Sequence, residues 1–190
     1  MENILGNLNT EFLGKNLIIL DEVDSTQKYI KNISKDAPNG LVIVAKNQIA
    51  GIGTKGRTWY TSKDKNLTFS LLLKPKCNVK NIENLTIMIA EAVIKVIKEM
   101  YGYELNIKHP NDIILNGKKL GGILTETLVL KTEVEQIIVG IGLNINEDKF
   151  CKEIEGIATS LKKEYGKTFE KYEILENLLE EFEKIYMKIL

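Results

Sequence analysis

Between Asp112 and Leu124 the chain reads DIILNGKKLGGIL, two apolar stretches joined by Asn116-Gly117. An Asn-Gly pair between strand-forming residues is the strongest short-range signal for a two-residue hairpin, because both turn positions need positive φ. The chain must therefore build a sheet with at least one antiparallel pair of neighbours. Four more apolar runs have strand length: Asn16 to Leu20, Leu41 to Ala45, Asn66 to Lys74 and Gln136 to Asn144. Pro38-Asn39-Gly40 turns the chain before the second of these, and Pro75 stops the third.

Helices are expected between the strands. Asp24-Ser25-Thr26 reads as a helix start, with a hydroxyl at the cap and the helix continuing to about Lys35. From Asn81 to Met100, Ile82, Leu85, Ile89, Val93, Val96 and Met100 recur every three or four residues, an amphipathic helix that packs on a sheet. From Glu153 onward the pattern is helical, ending with Leu175, Leu178, Phe182, Ile185 and Ile189 on one face. Hairpins with interspersed helices predict an α+β fold, a mixed and mostly antiparallel sheet with packed helices, rather than a parallel doubly wound sheet. The 190 residues suit a single domain, and neither a repeat nor a flexible linker interrupts them.

Composition narrows the function. With 44% hydrophobic and 27% charged residues the chain has the balance of a globular protein. No run approaches the roughly 18 apolar residues of a membrane span. The start, MENILGNLNTEFLGK, lacks the basic and apolar regions of a signal peptide, so a cytoplasmic location without a membrane partner is expected. The 26 basic and 26 acidic residues cancel, leaving no global field for DNA or another polyanion. Cys77 and Cys151 have no CxxC spacing and suggest neither zinc nor a disulfide. His109 is the only histidine, which demotes mechanisms needing a histidine base; before Pro110 it reads as a structural or surface residue.

Three segments could carry chemistry. In AKNQIAGIGTKGRTWYTSKDKN, Gly51, Gly53 and Gly56 let the backbone approach a ligand and turn its N–H groups toward an anion. The G-x-G-x-x-G spacing resembles a dinucleotide fingerprint, yet no helix opens from its last glycine. Arg57 is the only arginine among 26 basic residues, and the only tryptophan, Trp59, follows two positions later. A lone arginine in a lysine-rich chain is either chance or a site where planar, two-pronged recognition of phosphate or carboxylate is needed. In the second segment, Asn111-Asp112 offers oxygen ligands for Mg²⁺ on a nucleotide, or an ordinary turn. Lys118-Lys119 offers charge for a carboxylate or phosphate, or a solvated hairpin. Gly121-Gly122 in mid-strand suggests that a ligand comes close. The third segment, VGIGLNIN, again places glycines in a strand, with Asn144 at its end.

These segments, in this order, resemble the motifs of the biotin protein ligases: a DSTN start, a GRGRxGRxW loop, KWPND, a K-L-x-G-I-L strand and a GxGxN strand end. This chain shows Asp24-Ser25-Thr26-Gln27, GIGTKGRTW, KHPND, KKLGGILTE and VGIGLNIN, over about residues 15 to 150. The resemblance implies the class II synthetase-like biotin/lipoate ligase fold, with a seven-stranded mixed sheet. It also implies a two-step reaction, in which biotin and MgATP give biotinyl-5′-AMP and a lysine of a biotin carboxyl carrier domain then takes the biotinyl group. By the same resemblance Ser25, Thr26 and Gln48 hold the biotin ring, with Gln27 in the place of an asparagine. Gly51, Ile52, Gly53 and Thr54 belong to the biotin-binding loop, while Gly122 and Gly140 line the biotin pocket. Arg57, Trp59, Asn111 and Asn144 fall to ATP, with Arg57 on phosphate and Trp59 near adenine. Asp112 falls to the metal. Lys119 serves both ligands and, with Arg57, catalysis.

The chain departs from the pattern where Ile52 and Thr54 replace the first two loop arginines, predicting weaker retention of the adenylate, and where His109 replaces a tryptophan. The resemblance leads us to expect one catalytic domain, with a ligase core and a helical part over about 151 to 190. A DNA-binding helix-turn-helix before it and an SH3-like barrel after it are not expected. A homodimer is possible by analogy. The alternatives are a ligase for lipoate or another acyl group, or a weakened module that binds biotin or its adenylate.

Overall fold

The computed structural model describes residues 5–190. Its sheet is built from β1 (Leu17–Leu20), β2 (Val42–Ala45), β3 (Leu67–Leu73), β4 (Cys77–Asn78), β5 (Asn106–Lys108), β6 (Asp112–Leu115), β7 (Lys118–Leu130) and β8 (Glu133–Leu143). Seven of them lie in the order β1-β2-β3-β8-β7-β6-β5, and β4 adds an eighth beside the far end of β8. Among these strands only β1 and β2 pair in parallel; the other strand pairings are antiparallel. The α+β expectation is met, with one short strand more than the resemblance implied. Asn116 and Gly117 turn the β6–β7 hairpin with φ of 50° and 76°.

Strand alternation sends successive side chains to opposite faces, and the two faces have different roles. Val42, Val44, Phe69, Leu71, Val139 and Ile141 point to one side, where they pack with the amphipathic helices α2 (Leu85–Tyr101) and α4 (Lys171–Ile189). Ile43, Leu72 and Ile138 point to the other side and pack beneath Ile30 of α1 (Thr26–Ile33). Further along the same side of β3 and β8 come Ser70 and Gly140, under the first turn of α1, and then Thr68 and Gly142 beyond its start. The side of the sheet that is only half covered by a helix is thus where the sequence turns from bulky to small and polar.

Three local expectations are corrected. Helix does not begin at Glu153: residues 152–157 are turns, and only the short α3 (Leu161–Tyr165) and α4 are helical. The backbone here bonds to the sheet instead, with Lys119 N–H donating to Ile157 O at 2.8 Å and Thr159 N–H to Lys119 O at 2.9 Å. The last strand begins at Glu133 rather than Gln136, and a second long hairpin joins it to β7 through Lys131, at φ 59°. One side of this extension faces solvent, so its sequence is too polar to read as an apolar run. Gly121 serves packing rather than a ligand, because a Cβ there would stand 2.5 Å from Leu143 Cδ2 in the core.

The start of the described chain is tied to α4. Glu176, Glu180 and Glu183 accept hydrogen bonds from backbone N–H groups of residues 7, 9 and 11–13. These groups lie in an irregular segment and have no ladder partner, so the carboxylates supply what secondary structure does not.

Candidate active site

A cavity of about 670 Å³ opens on the half-covered side of the sheet, within the ~300–1,000 Å³ typical of small-molecule sites. The start of α1 forms one wall. Ser25 is extended (φ −157°), so the chain arrives as a strand and turns into the helix at the cavity edge, burying Ser25, Thr26 and Gln27. Gln48 Oε1 accepts from Thr26 N–H at 2.7 Å, and Thr26 Oγ1 lies 2.9 Å from Ser70 Oγ on β3. Ser25 Oγ and Thr68 Oγ1 are buried with no partner among the described residues. Leaving buried hydroxyls unpaired costs about 1–3 kcal/mol each, so the floor is suited to a polar ligand that completes them.

The glycine loop forms the lid-side wall. It is folded on itself as a small hairpin: Gly53 N–H donates to Arg57 O at 2.7 Å, Trp59 N–H to Gly51 O at 2.9 Å, and Ile52 faces Thr58. Lys55 takes φ 57° at its tip. Arg57 is exposed at the rim, its guanidinium donating to Thr54 O and Thr54 Oγ1. Trp59 folds inward, and its indole lies against β8 so closely that a Cβ on Gly142 would stand 2.3 Å from Cε2. Its Nε1 is buried with no partner among the described residues.

The charged wall comes from the β6–β7 hairpin. Lys119 Nζ pairs with Asp112 Oδ1 at 2.6 Å, and the ammonium stands 5.7 Å from the Trp59 ring centroid. Gly122 opens this corner, since its Cβ position is 3.3 Å from Lys119 Nζ. Among the described residues Asp112 is the only carboxylate on the cavity wall. Among the described residues no cluster of three His, Cys, Asp or Glu side chains could hold a metal by itself. A Mg²⁺ ion carried by nucleotide phosphates fits this donor set, because Mg²⁺ keeps several waters and needs only one or two carboxylates.

Every residue singled out for the site lies on this cavity except Gly51. Gly51 sits behind the wall, where a Cβ would come within 2.4 Å of Trp59 O and 2.7 Å of Gln48 Nε2. Asn111 and Asn144 reach the cavity with their amide nitrogens spent on Ile123 O and Thr159 O. Gly140 makes room for Gln27, whose Oε1 would be 2.5 Å from a Cβ there. His109 is exposed on the surface. Sequence reading missed Thr68, Ser70 and Gly142, and also Ile154 and Ile157 from the segment that returns beside Lys119. A signal for the first two was present: polar residues at alternate positions of the otherwise apolar β3, LTFSLLL.

Residues 19–144 match the Biotin/lipoate A/B protein ligase family. The chain is 38% identical over 182 residues to the bifunctional ligase/repressor BirA of Bacillus subtilis, covering 94% of this chain and 56% of that one. It is 30% identical to the biotin–[acetyl-CoA-carboxylase] ligase of Paracoccus denitrificans, covering 86% of this chain and 70% of that one. Among solved structures, a biotin protein ligase from Aquifex aeolicus in complex with biotin and ATP superposes with a TM-score of 0.79 at 34% identity. That match covers 92% of this chain and 71% of the other. The fold is that of the biotin protein ligases. The chain belongs to the Biotin/lipoate A/B protein ligase family, and spans 56% of the length of the Bacillus BirA proteins it matches.

Proposed function

We propose that this chain activates biotin with MgATP to biotinyl-5′-AMP, releasing pyrophosphate, and then transfers the biotinyl group to a lysine of a biotin carboxyl carrier domain. One observation carries the reading: a single cavity has a floor of buried hydroxyls and amides at one end and the ammonium of Lys119 at the other. Such a floor suits a ring with both N–H donors and a carbonyl, as biotin has. A dithiolane ring could not satisfy Ser25 and Thr68, which favours biotin over lipoate as substrate. The names of the relatives support the same choice.

In this reading Ser25, Thr26 and Gln48 hold the ring, with Gln27 behind them, while Ile52, Gly53 and Thr54 close over it. Gly51 lets that loop pack, and Gly122 and Gly140 keep the pocket open. Lys119 sits beside the biotin carboxylate and the α-phosphate. As the carboxylate oxygen bonds to phosphorus and pyrophosphate departs, its ammonium meets the charge gathering on the phosphoryl oxygens. In the second step the carrier amine attacks the acyl carbon and AMP leaves. Arg57 would swing from Thr54 to phosphate, Trp59 would pack near adenine, and Asn111 and Asn144 would face the nucleotide. Asp112 would hold Mg²⁺, which supplies positive charge against the phosphates. The need for ATP fits the cytoplasm.

The test is exchange of labelled pyrophosphate into ATP without carrier, with biotin and lipoate in parallel. Exchange with biotin alone is expected. Exchange with lipoate alone would move the substrate, and silence with both in a sample that binds biotin would reduce the chain to a binding module.

A further inference from the structure

Glu126 reaches the cavity's structure from behind. It lies on β7, on the same side as Gly122, with a half-exposed carboxylate at the seam between α1 and the sheet. Its Oε1 accepts from Lys31 Nζ at 2.7 Å and its Oε2 from Gln27 Nε2 at 2.9 Å. Gln27 in turn stands between this carboxylate and the cavity floor.

The bonds between these groups run in a determined direction. An ionised carboxylate only accepts, so the NH₂ of Gln27 must face Glu126, where it also meets Ile138 O at 3.4 Å. Gln27 Oε1 is then turned inward and accepts from Ser70 Oγ at 3.1 Å. Ser70 has one proton and has given it to Gln27. The 2.9 Å contact between Ser70 Oγ and Thr26 Oγ1 must therefore be donated by Thr26. Thr26 has no second hydroxyl proton for Gln48 Oε1, which lies 3.1 Å away and is held as an acceptor by Thr26 N–H. Two oxygens with free lone pairs, Thr26 Oγ1 and Gln48 Oε1, thus stand side by side on the cavity wall.

We propose that Glu126 is a positioning residue for substrate recognition: acting through Gln27 and Ser70, it sets the proton order of the floor so that Thr26 and Gln48 together accept an N–H of the bound ring. The inference rests on the biotin reading, since a ureido N–H is the donor it expects. Burial opposes the charge on Glu126, but the hydrogen bonds from Lys31 and Gln27 outweigh it and hold the carboxyl below the ordinary carboxylate range, so the group is ionised at neutral pH. Without that charge Gln27 is free to flip. Ser70 would then donate to Thr26 and Thr26 to Gln48, and the acceptor pair would be lost.

The experiment is Glu126→Gln, read in three ways on the whole chain. Biotin binding by calorimetry without ATP should weaken by about tenfold, the scale of one hydrogen bond. Biotin should also lose part of its advantage over an analogue methylated on the ureido nitrogens, while kcat for pyrophosphate exchange at saturating biotin changes far less than KM. In unliganded protein carrying nitrogen-labelled glutamine, the Gln27 side-chain NH₂ signals should move on substitution. A variant that binds biotin as the parent does, with the same preference over the analogue, overturns the proposal. If the parent itself fails to bind biotin, the substrate reading falls. The NH₂ signals then decide alone, supporting the role of Glu126 if they move and refuting it if they do not.

Discussion

Lys119 Nζ lies 2.6 Å from Asp112 Oδ1 across the β6–β7 hairpin, so these two charged groups neutralise one another when no ligand is present. Both are less than a third exposed, and a charge held there without a partner would be costly. In the proposed function, nucleotide and acid would supply each with a new partner: phosphate and carboxylate for Lys119, Mg²⁺ for Asp112. Lys119→Ala is expected to lower pyrophosphate exchange by about 10²–10³, as for loss of a transition-state charge donor, with the circular dichroism spectrum retained. An unchanged rate would remove Lys119 from the chemistry. Asp112→Asn should raise the Mg²⁺ concentration needed for half-maximal exchange.

Trp59 rests on Gly142, and this contact can be read optically because Trp59 is the only tryptophan. An added Cβ at 142 would overlap the indole at 2.3 Å from Cε2, so Gly142→Ala should push the ring out of the cavity. The expected result is fluorescence emission shifted to longer wavelength, together with a higher KM for ATP. An unshifted spectrum would show that the ring does not lie on β8 in solution.

Arg57 is bound to Thr54 at the rim, and two positions that carry arginine in the resembled motif are Ile52 and Thr54. Each missing charge-assisted bond would weaken retention of the adenylate by about 1.5–3 kcal/mol. Free biotinyl-5′-AMP should therefore accumulate in solution when carrier is withheld, and Thr54→Arg should reduce it. Chromatography of the filtrate measures both; an adenylate wholly retained by the parent contradicts this reading.

Glu183 accepts from the backbone N–H groups of Glu11, Phe12 and Leu13 at 2.7, 2.9 and 3.0 Å. Burial raises its pKa, but these three donors pull it net below the ordinary carboxylate value. A depressed folded-state value means that the stabilisation is complete above the unfolded carboxylate pKa and is lost as pH falls through the folded one. Glu183→Gln should cost about 2 kcal/mol near neutral pH, with faster amide exchange confined to residues 11–13. The difference between parent and variant should vanish in acid, which denaturant titrations across pH would show.

The sequence by itself determined most of the strands, the amphipathic helices and the residue types proposed for the site. Period-two and period-3.6 patterns are local, and Asn116-Gly117 imposes its turn on whatever surrounds it. It did not reveal that residues 152–157 would bond to Lys119 as a wall, since their partners lie some forty residues away in the chain and their backbone is satisfied only after the sheet exists. Nor could it separate Gly121 from Gly122. They are adjacent glycines in one strand, and only the sheet's two faces decide that the first packs on Leu143 while the second opens the cavity beside Lys119. Glu126 shows the same division: its charge is read from the chain, but its influence on the floor exists only because folding brings it 2.9 Å from Gln27. Local patterning chooses the elements, and burial on one side of a common sheet decides which of their side chains meet.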